Sequence, residues 1–311
     1  MSRCIPNQSL GKALGFAIWL LFGVPTTARA DVGGDIPPEQ ALETWNTDPV
    51  LLLNLLVIVW LYRRGELDQL GRTNQFPTKM LHQRLAFAGG VLAIVLALVT
   101  PLDVLSEQLV SGHMLQHLLL MMVAAPLFVL GASARMMFFG LPRFWRRRIN
   151  WWRRYRFGRQ LSAASKNPLF AWSVQALILW LWHLPRFYEV ALTHLAIHDL
   201  QHLSFFLSAL LFWRVLLDLD RRRRLSWGAS VIYLFTTLLH TMALGVFMAL
   251  SPQVWYPAYE QRSLAWGLTP LEDQQIAGFL MWMPGAMMYG LVGAILLAYR
   301  LQQPRFESQG V

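Results

Sequence analysis

Seven blocks of apolar residues, separated by polar or charged stretches, decide what this chain can fold into. Their approximate limits are 49–62, 85–102, 113–131, 168–184, 199–217, 228–250 and 276–299. A bilayer core is about 30 Å thick, and about 20 apolar residues in a helix cross it. No water reaches backbone groups there, so the chain must cross as helices or as a closed barrel. Continuous apolar blocks of this length read as helices. The first block is short and borrows residues from its flanks. The expected fold is all-α: a polytopic transmembrane bundle of about seven helices over residues 49–300, with a tail at 301–311. Only 14% of the 311 residues are charged, against about 25% in a soluble domain. Pro126 and Pro284 fall inside blocks and predict a kink or local opening there.

Residues 1–30 read as a secretory signal peptide. Arg3 and Lys12 precede and enter an apolar stretch at 14–24, and Ala28-Arg29-Ala30 is a small-x-small cleavage site. The alternative is an uncleaved first helix. A polar segment, 31–48, follows. The one cysteine, Cys4, lies in this leader, so neither a disulfide framework nor a CxxC motif is available. Metal chemistry must then use His, Met, carboxylates or backbone.

Orientation follows from the basic residues. The loops 63–84, 132–167 and 214–224 and the tail carry 22 Lys and Arg, whereas the alternate segments carry only Arg186 and Arg262. Basic loops stay in the cytoplasm. The mature N-terminus is therefore expected outside a bacterial inner membrane and the C-terminus inside. The net charge of +10 does not indicate nucleic acid, because the basic residues sit where a topology signal belongs. Within the loop 143–159 they interleave with Phe144, Trp145, Trp151, Trp152, Tyr155 and Phe157. That mixture suits a surface lying on anionic lipid headgroups.

Seven of the eight histidines then fall on the outward side or in the outer half of the bundle; His82 is an interfacial residue at the other side. His113 and His117 are four apart, as are His194, His198 and His202. On a helix this spacing puts rings on one face. His183 closes the fourth block and His240 lies in the sixth. Ionisable groups at membrane depth are rare and functional by default. Imidazole suits copper, zinc, iron or nickel, and thioethers such as Met114, Met121, Met122, Met242, Met248, Met281 and Met283 shift the preference toward copper(I). The expected ligands are His113, His117, His194, His198 and His202, with His183 and His240 as second choices and Asp273 as the best carboxylate. They are expected to form one pocket open to the outer compartment. Asp199 and Gln116 are placed to fix ring tautomers.

Four segments resemble the multi-spanning CtaG family of cytochrome c oxidase assembly factors, which is distinct from the single-span copper chaperone of the same name. They are the run His113-Met114-Leu115-Gln116-His117-Leu118-Leu119-Leu120, and Leu181-Trp182-His183-Leu184-Pro185 with Tyr188, His194, His198 and His202. Then come Leu239-His240 with Gly245, Tyr256 and Tyr259, and Leu271-Glu272-Asp273-Gln274-Gln275 through Met281-Trp282-Met283-Pro284-Gly285. The resemblance spans roughly 45–300, in family order. It implies a role in building haem–copper oxidase, through copper delivery or insertion. The implied partners are oxidase subunits or other assembly factors.

Two other readings remain open at this stage. A membrane cytochrome would clamp haem between facing histidines such as His117 and His202. A copper transporter would need polar groups through the cytoplasmic half, where this chain has few. No nucleophile motif, phosphate-cradling glycine loop or HExxH is present, so no enzyme is expected.

Overall fold

The computed structural model describes residues 37–73, 78–217 and 225–302. The leader at 1–30, the Arg221–Arg224 run and the tail beyond residue 302 lie outside them. The described residues are mostly helical, with no strand among them. Every apolar block falls on a long helix: α1 (Pro49–Thr73), α2 (Thr78–Leu98), α3 (Val110–Leu130), α4 (Pro168–His183), α5 (Leu195–Leu216), α6 (Trp227–Leu250) and α7 (Pro270–Gln302).

Helix starts follow local chemistry. Asp48, Asn167, Ser226 and Thr269 each stand just before a helix, and three of them precede a proline at its first position. Asp48 Oδ1 accepts from the Val50 amide (2.9 Å) and Asn167 Oδ1 from Leu169 (2.9 Å), which satisfies amides that a helix start leaves bare.

Five of the seven helices, α2, α3, α5, α6 and α7, are long and apolar enough to cross a membrane. The other two apolar blocks are helical but fall short of that standard. In α1 the charges Arg63, Arg64, Glu66 and Asp68 follow the apolar turns. With 16 residues, α4 reaches about 24 Å. Leu53, Leu56, Leu92, Leu177, Ile232, Phe247, Leu291 and Ile295 are exposed. So much outward apolar surface is stable in lipid and not in water.

The centre of the bundle is α3, with 56% of its span buried against 11% for α7. It packs on α2, α5 and α7, and α6 lies along α7 and α4. Between α6 and α7 the backbones touch: a Cβ on Gly278 would come within 2.6 Å of the Gly245 carbonyl oxygen.

The proline in α3 has a visible consequence. Pro126 has no amide hydrogen, and its ring would collide with the carbonyl four residues back. The preceding residues, Leu119–Ala124, form a π-helical turn that absorbs the misfit. Trp213 Nε1 donates to the Met121 carbonyl there (2.8 Å). In contrast, α7 continues unbroken through Pro284.

Short helices fold over the end where α3, α5 and α7 begin. They are Leu102–Gln108, Pro185–Thr193 and Glu260–Ala265, the last preceded by the 3-10 turn Pro257–Tyr259. Tyr259 Oη donates to the Ser106 carbonyl (3.0 Å) and Arg262 Nη1 to the Glu107 carbonyl (2.8 Å). Tyr256 Oη donates to the His183 carbonyl (2.9 Å), and its ring stacks on Tyr188. Burial raises the Tyr256 and Tyr259 hydroxyls well above the ordinary phenol value, so both remain protonated donors.

Candidate metal centre

Two helices supply the centre. His113 and His117 lie one turn apart on α3, and His198 and His202 one turn apart on α5. Within each pair the ring centroids are 4.3 Å apart. Across the helices they are 5.2 Å apart for His117 and His202 and 5.6 Å for His113 and His202. One ligand nitrogen from each of His113, His117 and His202 lies within 4.8 Å of the other two.

All four rings are buried, His113 completely. None of the four ring nitrogens of His113 and His117 has a hydrogen-bond partner among the described residues. The Ser106 carbonyl and the Gln201 side chain lie beside the His113 ring without completing hydrogen-bond geometry. Buried polar atoms left in this way are uncommon and call for a cause. Metal–imidazole bonds are about 2.0 Å, so two nitrogens on one ion lie no more than about 4 Å apart. A small rotation of the side chains closes the trio around an ion. The residues therefore fit a metal of imidazole preference. Haem fits less well: His117 and His202 meet edge to face and leave no gap between them for a porphyrin.

A model of the family described as cytochrome c oxidase caa3 assembly factor (Caa3_CtaG) matches residues 56–303, most of the chain. The chain belongs to the Caa3_CtaG family. No curated protein and no solved structure shows significant similarity to it. The Caa3_CtaG family is described as one of assembly factors.

The remaining expected site residues of this Caa3_CtaG chain are placed elsewhere. His194 is exposed, in extended conformation just before α5, and its Nδ1 lies 2.9 Å from Thr193 Oγ1. It does not join the stripe of His198 and His202 because the helix begins one residue later. His240 packs edge-on against Trp172 of α4. His183 Nδ1 meets the Leu179 carbonyl (2.7 Å), and its Nε2 faces Met114 Sδ (3.4 Å). Gln116 turns away from the rings and donates to Asp103 Oδ1 and the Ala97 carbonyl, both at 2.9 Å. Asp199 is exposed.

The polar run in the first turns of α7 is a clamp. Glu272 and Thr269 form a reciprocal capping box: the Thr269 amide donates to Glu272 Oε2 (2.8 Å), and the Glu272 amide to Thr269 Oγ1 (3.3 Å). Gln274 accepts from the Trp255 amide (2.6 Å) and donates to the Gln253 carbonyl (3.1 Å), holding that loop. Asp273 is fully buried and accepts from the amides of Val110 (2.7 Å) and Ser111 (3.1 Å). Both carboxylate oxygens thus hold the start of α3.

The expected open pocket is a covered one. The short helices between the spans put Tyr188 over His113, with ring centroids 5.0 Å apart. Sequence reasoning gave no role to Tyr188, Ser106 or Gln201 at the site. The sequence signal for Gln201 was only its place directly before His202 on the same helix. On the opposite side of the bundle, helices Arg143–Trp152 and Arg156–Ala164 form the basic, aromatic surface read from 143–159.

Proposed function

We propose that the chain binds copper at His113, His117 and His202 on the outer face of the inner membrane and passes it to haem–copper oxidase during assembly. The buried trio with unpartnered ring nitrogens on His113 and His117 carries this reading. The family supplies the pathway. The basic-residue asymmetry supplies the sidedness.

The donor set argues for copper(I). Three neutral imidazoles and no carboxylate leave the full ionic charge in a buried setting. The Born cost of burying charge rises steeply with its size, so a monovalent ion is tolerated better than a divalent one. Thioether and imidazole ligands favour the same ion. Three ligands leave a coordination position that a partner can complete, which suits cargo that must leave again. Exchange requires the cover of short helices to part.

Anaerobic titration of the purified protein against a competing chelator is expected to leave about one tightly held copper(I) per chain. Replacing His113 and His117 together with alanine should lower that affinity at least tenfold, whereas His194→Ala should leave it unchanged. An unaltered affinity in the double variant would refute the site. A haem absorption band in the purified protein would refute the copper reading in favour of a cytochrome.

A further inference from the structure

A cavity of about 40 Å³ adjoins the three-imidazole centre, with His117 on its wall. His183 and the methionines Met114, Met121, Met122 and Met281 also line it. Four of the chain's 13 methionines thus meet at one place. Two of them sit in the π-helical turn of α3. A π-turn holds more residues than an α-turn, so neighbouring side chains diverge less, and Met121 and Met122 both reach the cavity. Such turns recur at functional sites.

The decisive contact is between His183 and Met114. A carbonyl only accepts, so the 2.7 Å approach of Nδ1 to the Leu179 oxygen puts the proton on Nδ1. In the neutral ring Nε2 then keeps its lone pair. That nitrogen lies 3.4 Å from Met114 Sδ, itself only an electron-pair donor. No proton is available between them. Bonds of about 2.0 Å to nitrogen and about 2.3 Å to sulfur, at a near-tetrahedral angle, would set two ligands of one ion about 3.5 Å apart. An imidazole that gives its other N–H to a carbonyl is also how metal-binding histidines are commonly held.

We propose that His183 Nε2 and Met114 Sδ, with the thioethers of Met121, Met122 and Met281, form a second site for a soft monovalent ion. The His117 and His183 ring centroids are 6.4 Å apart, so an ion can step from the three-imidazole centre to the second site without changing oxidation state. The inference rests on the proposed function only for the identity of the natural ion.

The test uses full-length protein labelled with selenomethionine and loaded with silver(I) or copper(I) alone. X-ray absorption should show selenium bound to silver, and to copper once a second equivalent is added. The Met114→Leu/Met281→Leu variant keeps size and apolarity, and should lose the second equivalent and most of the metal–selenium signal. No metal–selenium signal in the unsubstituted protein, or an undiminished one in the variant, would overturn the proposal and mark the methionines as packing only. A silver–selenium signal without copper–nitrogen scattering from the three-imidazole centre would support this site while sinking the proposed function.

Discussion

Replacing Asp273 with alanine is expected to destabilise the folded protein by on the order of 3 kcal/mol while sparing the metal ligands themselves. The reason lies in how α3 begins. Its N-cap position is Leu109, which has the extended backbone of a cap residue but no capping side chain. The carboxylate of Asp273, 163 residues beyond Val110, supplies what Leu109 lacks. It accepts from the Val110 and Ser111 amides and from the Ser111 hydroxyl. A negative charge also complements the positive end of the helix dipole. Alanine would leave these donors buried and unpaired, each at about 1–3 kcal/mol. His113 lies one turn inside the same helix.

Denaturant titration in detergent micelles measures the loss. A local cap should partly rescue it: Leu109→Ser in the Asp273→Ala background is expected to return about 1 kcal/mol. A metal-ligand role for Asp273 predicts the reverse pattern, with stability kept, copper lost and no rescue from residue 109. Unchanged stability in Asp273→Ala would remove the capping account altogether.

The contrast between Glu272 and Asp273 marks where sequence reasoning stops. The box of Thr269 and Glu272 is legible because both partners sit within one helical turn. The role of Asp273 is not, since its partners are set only when α7 meets α3. The same division runs through the histidines. His113 with His117 and His198 with His202 could be paired from spacing alone, because each pair lies within one helix. That α3 and α5 face each other at those turns is a tertiary fact. His194 kept the spacing but missed the helix by one residue.

The helices themselves were legible because the transfer of apolar side chains out of water outweighs local preferences. The cover was not. Leu102–Gln108, Pro185–Thr193 and Glu260–Ala265 are too short to show a clear period. They are held by particular contacts such as Tyr259 to Ser106 and Arg262 to Glu107. An expectation of open imidazoles therefore met a buried site.

The far end of α3 offers a test of whether the fold and the site can be separated. There α1 crosses the short helix Ser133–Gly140 with backbones in contact. A Cβ on Gly65 would run into the Met136 carbonyl, and one on Gly140 into the Leu61 carbonyl. Backbone cannot swing aside as a flexible side chain does, so either substitution by alanine must push the two helices apart. The strain falls on a packed corner where Tyr62 stacks on Phe87 and donates to the Gly131 carbonyl (3.1 Å), and where Glu66 joins Arg63 and Arg84 at 2.7 Å each. Each single variant, Gly65→Ala or Gly140→Ala, is expected to cost about 3 kcal/mol, at the upper end of overpacking effects. The double variant should cost much less than the sum, because the first substitution already opens the crossing for the second. Gly290→Ala, where a Cβ meets nothing within 4 Å, should instead be neutral or stabilise by about 0.5–1 kcal/mol. Additive losses at Gly65 and Gly140 would contradict a shared crossing. Since α3 is about 30 Å long, its first turn with His113 should be little disturbed. Molecules that stay folded are expected to hold copper as tightly as the unsubstituted chain, and weaker copper in them would show that α1 shapes the centre as well as the fold.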